Sequence, residues 1–166
     1  YHTTILNIVA IGGMGKSALT WKWFNDIAPR VMLPLVGRVW WSFYESDARY
    51  ENFIIRTLAY VSQRSTADVR KLAPPERETQ LLAILDREPY LLVLDGLERV
   101  LIAYARMDAA YLADSEVGQS ERERERHRLR KTADPRAGAF LRRLVTCRAS
   151  RILVSTCRSL ASSPSA

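Results

Sequence analysis

Five residues, Tyr90-Leu91-Leu92-Val93-Leu94, run apolar without a break and end on a carboxylate, Asp95. A strand with one wet face alternates apolar and polar residues, whereas an unbroken apolar strand needs cover on both faces. Helices on either side of a parallel sheet supply that cover, so this one segment points to an α/β fold.

The rest of the chain alternates as that fold requires. Residues 5–11, ILNIVAI, are mostly β-branched and end in glycines, which reads as a buried strand. Residues 16–27 have helical spacing, with Leu19, Trp23 and Ile27 four apart, and Pro29 marks the end. A second strand, rich in aromatic residues, spans residues 36–44. A helix over residues 47–63 places Phe53, Ile54, Leu58 and Val61 on one face. Pro74-Pro75 opens another helix through Leu85. Beyond the strand 90–95 a helix is expected over about 97–112. The run SERERERHRLRK, 120–131, has no core positions and reads as a solvated helix extension or a loop. Asp134-Pro135 caps a helix carrying Phe140, Leu141, Leu144 and Val145, and a fourth strand follows over 151–156.

The expectation is a single three-layer α/β/α domain over residues 1–158, with a mainly parallel sheet. A charged insertion or loop fills 115–133 and an unstructured end covers 159–166. In such sheets ligands bind outside the carboxyl ends of the strands. Three of the four strand ends carry polar residues there: Lys16-Ser17, Asp95 and Thr156.

The first of those ends is the most informative. AIGGMGKS nearly spells the phosphate-cradling pattern G-x-x-x-x-G-K-[ST], with Ala10 in place of the first glycine. A phosphate cradle needs successive backbone N–H groups turned inward, and the following helix aims its positive end at the anion. Gly12, Gly13 and Gly15 supply the permissive backbone, and Met14 and Ala18 complete the loop and the helix start. Lys16 would reach the β- and γ-phosphates, and the Ser17 hydroxyl would hold Mg²⁺. If Ala10 has negative φ it costs little; with positive φ it strains the loop by ~1 kcal/mol or more. Asp95 is the natural second metal ligand, acting through water, although it also suits capping the helix near Leu97. Glu98 is the acid placed to position an attacking water, and it suits the first turn of a helix equally well.

Composition excludes more than it selects. The 166 residues are 48% apolar and 26% charged, with a net charge of +7. Lysine occurs only at 16, 22, 71 and 131, so 21 of the 25 basic residues are arginines. That excess suits nucleic acid or a biased proteome alike, and the glutamates interleaved at 121–126 neutralise much of the local field. Nucleic acid is therefore a disfavoured partner. Cys147 and Cys157 form no C-x-x-C pair, and His2 and His127 are isolated, so no zinc cluster or disulfide framework is indicated. No apolar run approaches a membrane span and no signal pattern opens the chain, so a cytoplasmic protein is expected. The start at Tyr1, almost on the first strand, reads as a piece of something longer.

Together AIGGMGKSAL, GRVWWSFYES and YLLVLDGLERV resemble the STAND-type P-loop ATPases. This group includes the NB-ARC and NACHT modules of bacterial signalling proteins, plant resistance proteins and apoptosis regulators. The resemblance runs over residues 5–158. It implies binding of ATP or ADP with Mg²⁺, phosphates on residues 12–17, the metal at Ser17 and Asp95, and a second catalytic acid at Glu98. Arg99 stands where that pattern often has another acid, which implies slow hydrolysis. The fourth strand of the family ends in Thr-Thr-Arg or Thr-Ser-Arg, whose arginine senses the γ-phosphate. Here Ser155-Thr156-Cys157 precedes Arg158, one position later, and a one-residue slip turns a strand side chain to the other face. On this resemblance the chain ends before the fifth strand, the winged-helix lid and the sensor domain. It would be the catalytic half of a switch, a weak ATPase at most, with room for oligomerisation when ATP is bound. A different class, an AAA-like ATPase acting on DNA, is the alternative that the positive charge favours.

Overall fold

Each of the first three strands is followed by a connection that contains helix and is long enough to cross the sheet, and such connections return the chain to the sheet in parallel. In the computed structural model, which describes residues 5–32, 34–45, 49–100 and 134–157, four strands are joined in this way. They are β1 (Ile5–Ala10), β2 (Gly37–Ser42), β3 (Tyr90–Asp95) and β4 (Arg151–Cys157). All neighbours pair in parallel, in the order β1-β4-β3-β2. The chain thus leaves β1 for the far edge and works back, seating β4 last between β3 and β1.

Strand periodicity sorts the core into two layers. Leu91 and Val93 face one side, where they pack with Leu153, Phe24 and Ala28. Leu92 and Leu94 face the other side and join Phe53, Leu58, Leu81, Leu85 and Phe140. The first side is covered by α1 (Lys16–Lys22), a π-helical turn at Trp23–Ile27 and α2 (Ala28–Val31). The second is covered by α3 (Tyr50–Val61), α4 (Thr66–Lys71), α5 (Pro74–Arg87) and α6 (Pro135–Leu144). Every residue of β3 is buried, as its unbroken apolar run demands.

Three details depart from the sequence reading. Pro29 does not end the first helix. It lacks the N–H that would reach the Asn25 carbonyl, and the chain absorbs the loss as a π turn. Ala28 N–H then bonds Trp23 O, and the Phe24 carbonyl left over accepts from Arg38 Nη1. Nor does this helix bury Leu19 and Ile27, which are exposed. It buries Lys16, Thr20, Phe24 and Ala28, a strict i, i+4 stripe. Counting only apolar residues rotated the face, because two members of the true stripe are polar. Finally, α4 was not expected at all. Ser65 starts it by accepting from Asp68 N at 3.0 Å. The buried Arg77 of α5 closes it, donating to Val69 O at 3.1 Å and Arg70 O at 2.7 Å, with Glu51 Oε1 at 2.9 Å.

The helix expected over 97–112 is represented by a 3₁₀ turn, Leu97–Val100. Its remainder, the insertion 115–133 and the end 159–166 lie outside the described residues, as does the start of the helix expected from 47.

Candidate functional site

The loop between β1 and α1 is built on two left-handed glycines, Gly13 at φ 79° and Gly15 at φ 76°. Ala10 needs no such freedom. It sits at the end of β1, and Gln63 is the sole non-glycine with positive φ among the described residues. The missing first glycine therefore costs the loop little. A Cβ added at Gly12, Gly13 or Gly15 would meet no protein atom within 4 Å, so the loop is open on its outer side. Gly15 heads α1 with no side-chain cap, and Met14 and Ala18 are exposed beside it.

Lys16 is 9% exposed, and a buried ammonium needs oxygen partners. It folds back along the loop, where Nζ donates to Ala10 O and Ile11 O, both at 3.0 Å. Ser17 reaches across the sheet instead. Its Oγ donates to Asp95 Oδ1 at 3.0 Å, joining residues 78 apart in sequence. Thr20, below them on the buried stripe, satisfies its hydroxyl on Lys16 O and Ser17 O. Asp95 shares strand parity with Leu91 and Val93, so its carboxylate lies on the α1 face. It is 3% exposed, while its carbonyl accepts from Phe43 N at 2.8 Å.

Glu98 is held elsewhere. Beyond Asp95 the chain turns at Gly96, φ 73°, where a Cβ would come within 2.6 Å of the Tyr44 ring. Tyr44 lies over that turn, its hydroxyl donates to Glu98 Oε1, and the Arg99 guanidinium sits 4.7 Å from its ring centre. Tyr44 follows β2, so Glu98 is drawn toward the side of β3 away from β4. Tyr44 was not singled out in the sequence, where it was read as the last residue of the aromatic strand 36–44; the strand in fact ends at Ser42.

Thr156 does not converge with the others. Its hydroxyl lies 3.5 Å from Asn7 Oδ1, on the α3–α6 side of the sheet. The residue that does face Asp95 is its register partner Ser155, which the sequence reading passed over. Alternation from Leu153, on the α1 face, would have identified it. Arg158 lies outside the described residues. The structure thus brings together Lys16, Ser17, Asp95 and Ser155. Among the described residues, no three His, Cys, Asp or Glu side chains gather as a self-sufficient metal cage. No helix among them is long and apolar enough to cross a membrane.

No protein-family model matches the chain. Among curated proteins it is 30% identical over 98 residues to disease resistance protein RPP13 of Arabidopsis thaliana. That alignment takes in 56% of this chain but 11% of the relative, so the chain spans about a tenth of that protein's length. The all-parallel sheet with helices on both faces is a P-loop NTPase-like α/β fold.

Proposed function

We propose that the chain is the nucleotide-binding module of a STAND-type signalling NTPase, holding ATP or ADP with Mg²⁺ and hydrolysing slowly. The observation that carries this reading is the Ser17–Asp95 hydrogen bond at the carboxyl ends of the strands, beside a loop with two left-handed glycines. The similarity to a plant disease resistance protein supports it, since plant resistance proteins belong to the group the motifs resemble.

The donor set suits Mg²⁺. A hydroxyl and a carboxylate are hard oxygen ligands, and this ion is bound by one or two carboxylates plus substrate phosphates and water. Ser17 would contribute its hydroxyl oxygen and Asp95 its carboxylate; the bound ion would neutralise phosphate charge. Lys16 would exchange two backbone carbonyls for the β- and γ-phosphate oxygens, and the amides of residues 12–17 would cradle the β-phosphate. Glu98 would orient the attacking water only after parting from Tyr44. An unplaced transition-state group costs about 2.7–4 kcal/mol of barrier, so turnover falls below the ~1 s⁻¹ of ordinary enzymes. The signalling role, with lid and sensor domains as partners, is part of the same reading.

Calorimetry tests it. Wild type binds ATP and ADP with Mg²⁺ and Lys16→Ala does not. Equal affinities would overturn the assignment.

A further inference from the structure

A cavity of about 310 Å³ opens at the amino end of β2. Phe24 of the π turn, Pro29 of α2, and Leu35 and Val36 of the connection to β2 form its apolar walls. Gly37, Arg38 and Tyr60 complete it. At its other end β2 carries Ser42, the register partner of Asp95. A strand of this length spans about 17–20 Å, so the cavity is remote from the sheet end that holds Asp95.

The polar side chains of the cavity offer donors. Arg38 is half-buried, with its guanidinium 4.9 Å from the centre of the Phe24 ring. Its Nη1 donates to the Phe24 carbonyl that the π turn leaves over. A guanidinium carries several N–H groups in a planar fork, and one carbonyl leaves most of them unmatched. Among the described residues no carboxylate pairs with Arg38, and none of the residues lining the cavity is acidic. A charge partly withdrawn from water with no counter-ion calls for one. Tyr60 supplies the second donor. Its oxygen accepts from Arg38 N at 3.4 Å, which leaves its own proton for another acceptor. Gly37 makes room for that hydroxyl, since a Cβ there would come within 2.7 Å of it. Val36 and Tyr60 are more than half exposed, so the cavity is reached from solvent on their side.

Charge and shape together select the anion. One guanidinium fork matches one carboxylate through two parallel N–H···O bonds. A phosphate dianion brings more charge and more acceptors than one guanidinium and one hydroxyl satisfy. The apolar walls take up a hydrocarbon body, and a volume at the small end of ligand pockets limits that body to a ring or a short chain. Single π turns within helices cluster at functional sites, and this one supplies both the Phe24 wall and the carbonyl that steadies Arg38.

We propose that this cavity binds a small monocarboxylate, with its carboxylate on the Arg38 guanidinium and the Tyr60 hydroxyl and its apolar body against Phe24, Pro29 and Leu35. The site is separate from the nucleotide-binding reading and stands or falls without it. No covalent step is involved.

The test titrates the nucleotide-free protein with benzoate, hexanoate, the neutral benzamide and inorganic phosphate, read by amide proton–nitrogen nuclear magnetic resonance. Ligands this small bind in the millimolar range. Benzoate and hexanoate are expected to shift the Phe24, Gly37, Arg38 and Tyr60 amides saturably. A hydrogen bond to a charged group is worth about tenfold or more in an equilibrium, so benzamide and phosphate should bind at least that much more weakly than benzoate. Arg38→Met, which keeps a stem over Phe24, should lose about tenfold or more of the benzoate affinity, and Tyr60→Phe a few-fold. Melting temperatures show whether each variant folds. If Arg38→Met does not, the benzoate–benzamide difference and Tyr60→Phe decide. No saturable benzoate shift, equal affinity for benzoate and benzamide, or full affinity in folded Arg38→Met and Tyr60→Phe overturns the proposal. So does phosphate binding as tightly as benzoate, or displacement of benzoate by ATP with Mg²⁺, which would put the carboxylate at the other end of the sheet.

Discussion

Gly12 and Gly15 sit three residues apart in one loop, yet the structure predicts opposite consequences for placing alanine at them. A Cβ at either position meets no protein atom within 4 Å, so steric crowding does not distinguish them. Backbone conformation does. Gly15 has φ 76°, whereas Gly12 is not among the positive-φ residues. An L-residue held in the left-handed region costs about 1–2 kcal/mol. For a chain of this size each 1 kcal/mol shifts the melting temperature by about 2–4 °C, so Gly15→Ala should melt about 2–8 °C below wild type. Gly12→Ala carries no such strain and removes freedom from the unfolded chain, worth about 0.4–1 kcal/mol in favour of folding. It should melt at or slightly above the wild-type temperature. Thermal denaturation followed by far-ultraviolet circular dichroism, without nucleotide, reads both. Titration with Mg²⁺ and ATP at a temperature where both variants are folded then separates folding from binding. Gly15→Ala, which misdirects the N–H groups at the head of α1, loses affinity there as well. Equal melting losses in the two variants would refute the conformational argument, because they would mean that the loop's shape does not rest on its left-handed glycines.

Asp95→Asn keeps the shape but removes the charge, and should weaken Mg²⁺-dependent ATP binding while leaving binding in EDTA near wild type; an equal loss in both buffers would count against a metal role. Glu98→Gln should bind nucleotide normally and hydrolyse it more slowly, and an unchanged single-turnover rate would leave Glu98 as a helix-start residue. Arg77→Met removes donors from Val69 O and Arg70 O beneath α4. Val69 O keeps Leu72 N as a donor, and a hydrogen bond from a charged group is worth about 1.5–3 kcal/mol, so urea denaturation should show a loss of about 2 kcal/mol with nucleotide affinity retained. Burial, and secondarily Asp86, pushes the Cys147 thiol above its usual range. A raised thiol pKa means less thiolate at a given pH, so in a Cys157→Ser background iodoacetamide at pH 8 should modify Cys147 far more slowly than free cysteine. A free-cysteine rate would show that the residue is open to solvent.

The sheet was legible because strand burial is written locally. The apolar run 90–95 carries its own instructions, and the structure buries β3 throughout; the β-branched run of β1 forms a strand as read, but not the buried one expected, since it lies at the sheet edge with none of its residues buried. The cap at Asp134 was legible for the same reason, and its carboxylate accepts from Arg136 N at 2.8 Å. What escaped depends on partners distant in sequence. The buried stripe of α1 includes Lys16 and Thr20 because the loop and the sheet end supply their oxygens, which a periodicity count cannot see. The fourth strand end was read as Thr156, whereas alternation from Leu153 puts Ser155 on the face of Asp95. The error was one residue, and in a strand one residue is a change of face.

That change of face also divides labour within the molecule. The α3–α6 layer holds the large fully buried side chains Phe53, Leu58, Leu81, Leu85, Phe140 and Leu144. The α1 layer is thinner: Phe24 and Ala28 cover Leu91, Val93 and Leu153, and its helix is interrupted by a π turn. On β1, which feeds the loop, Leu6 shares this face with Ile8 and stays more than half exposed. Elements with few buried apolar contacts open most easily, and ligand-binding segments come from that end of the stability range. The residues brought together by the loop, Lys16, Ser17, Asp95 and Ser155, all belong to this thinner side. A ligand seated there would add its binding energy where packing contributes least, so nucleotide would order the α1 layer while the α3–α6 layer held the fold unaided. A nucleotide-dependent switch requires that arrangement, since a side already rigid in the absence of ligand has no second state for the ligand to select.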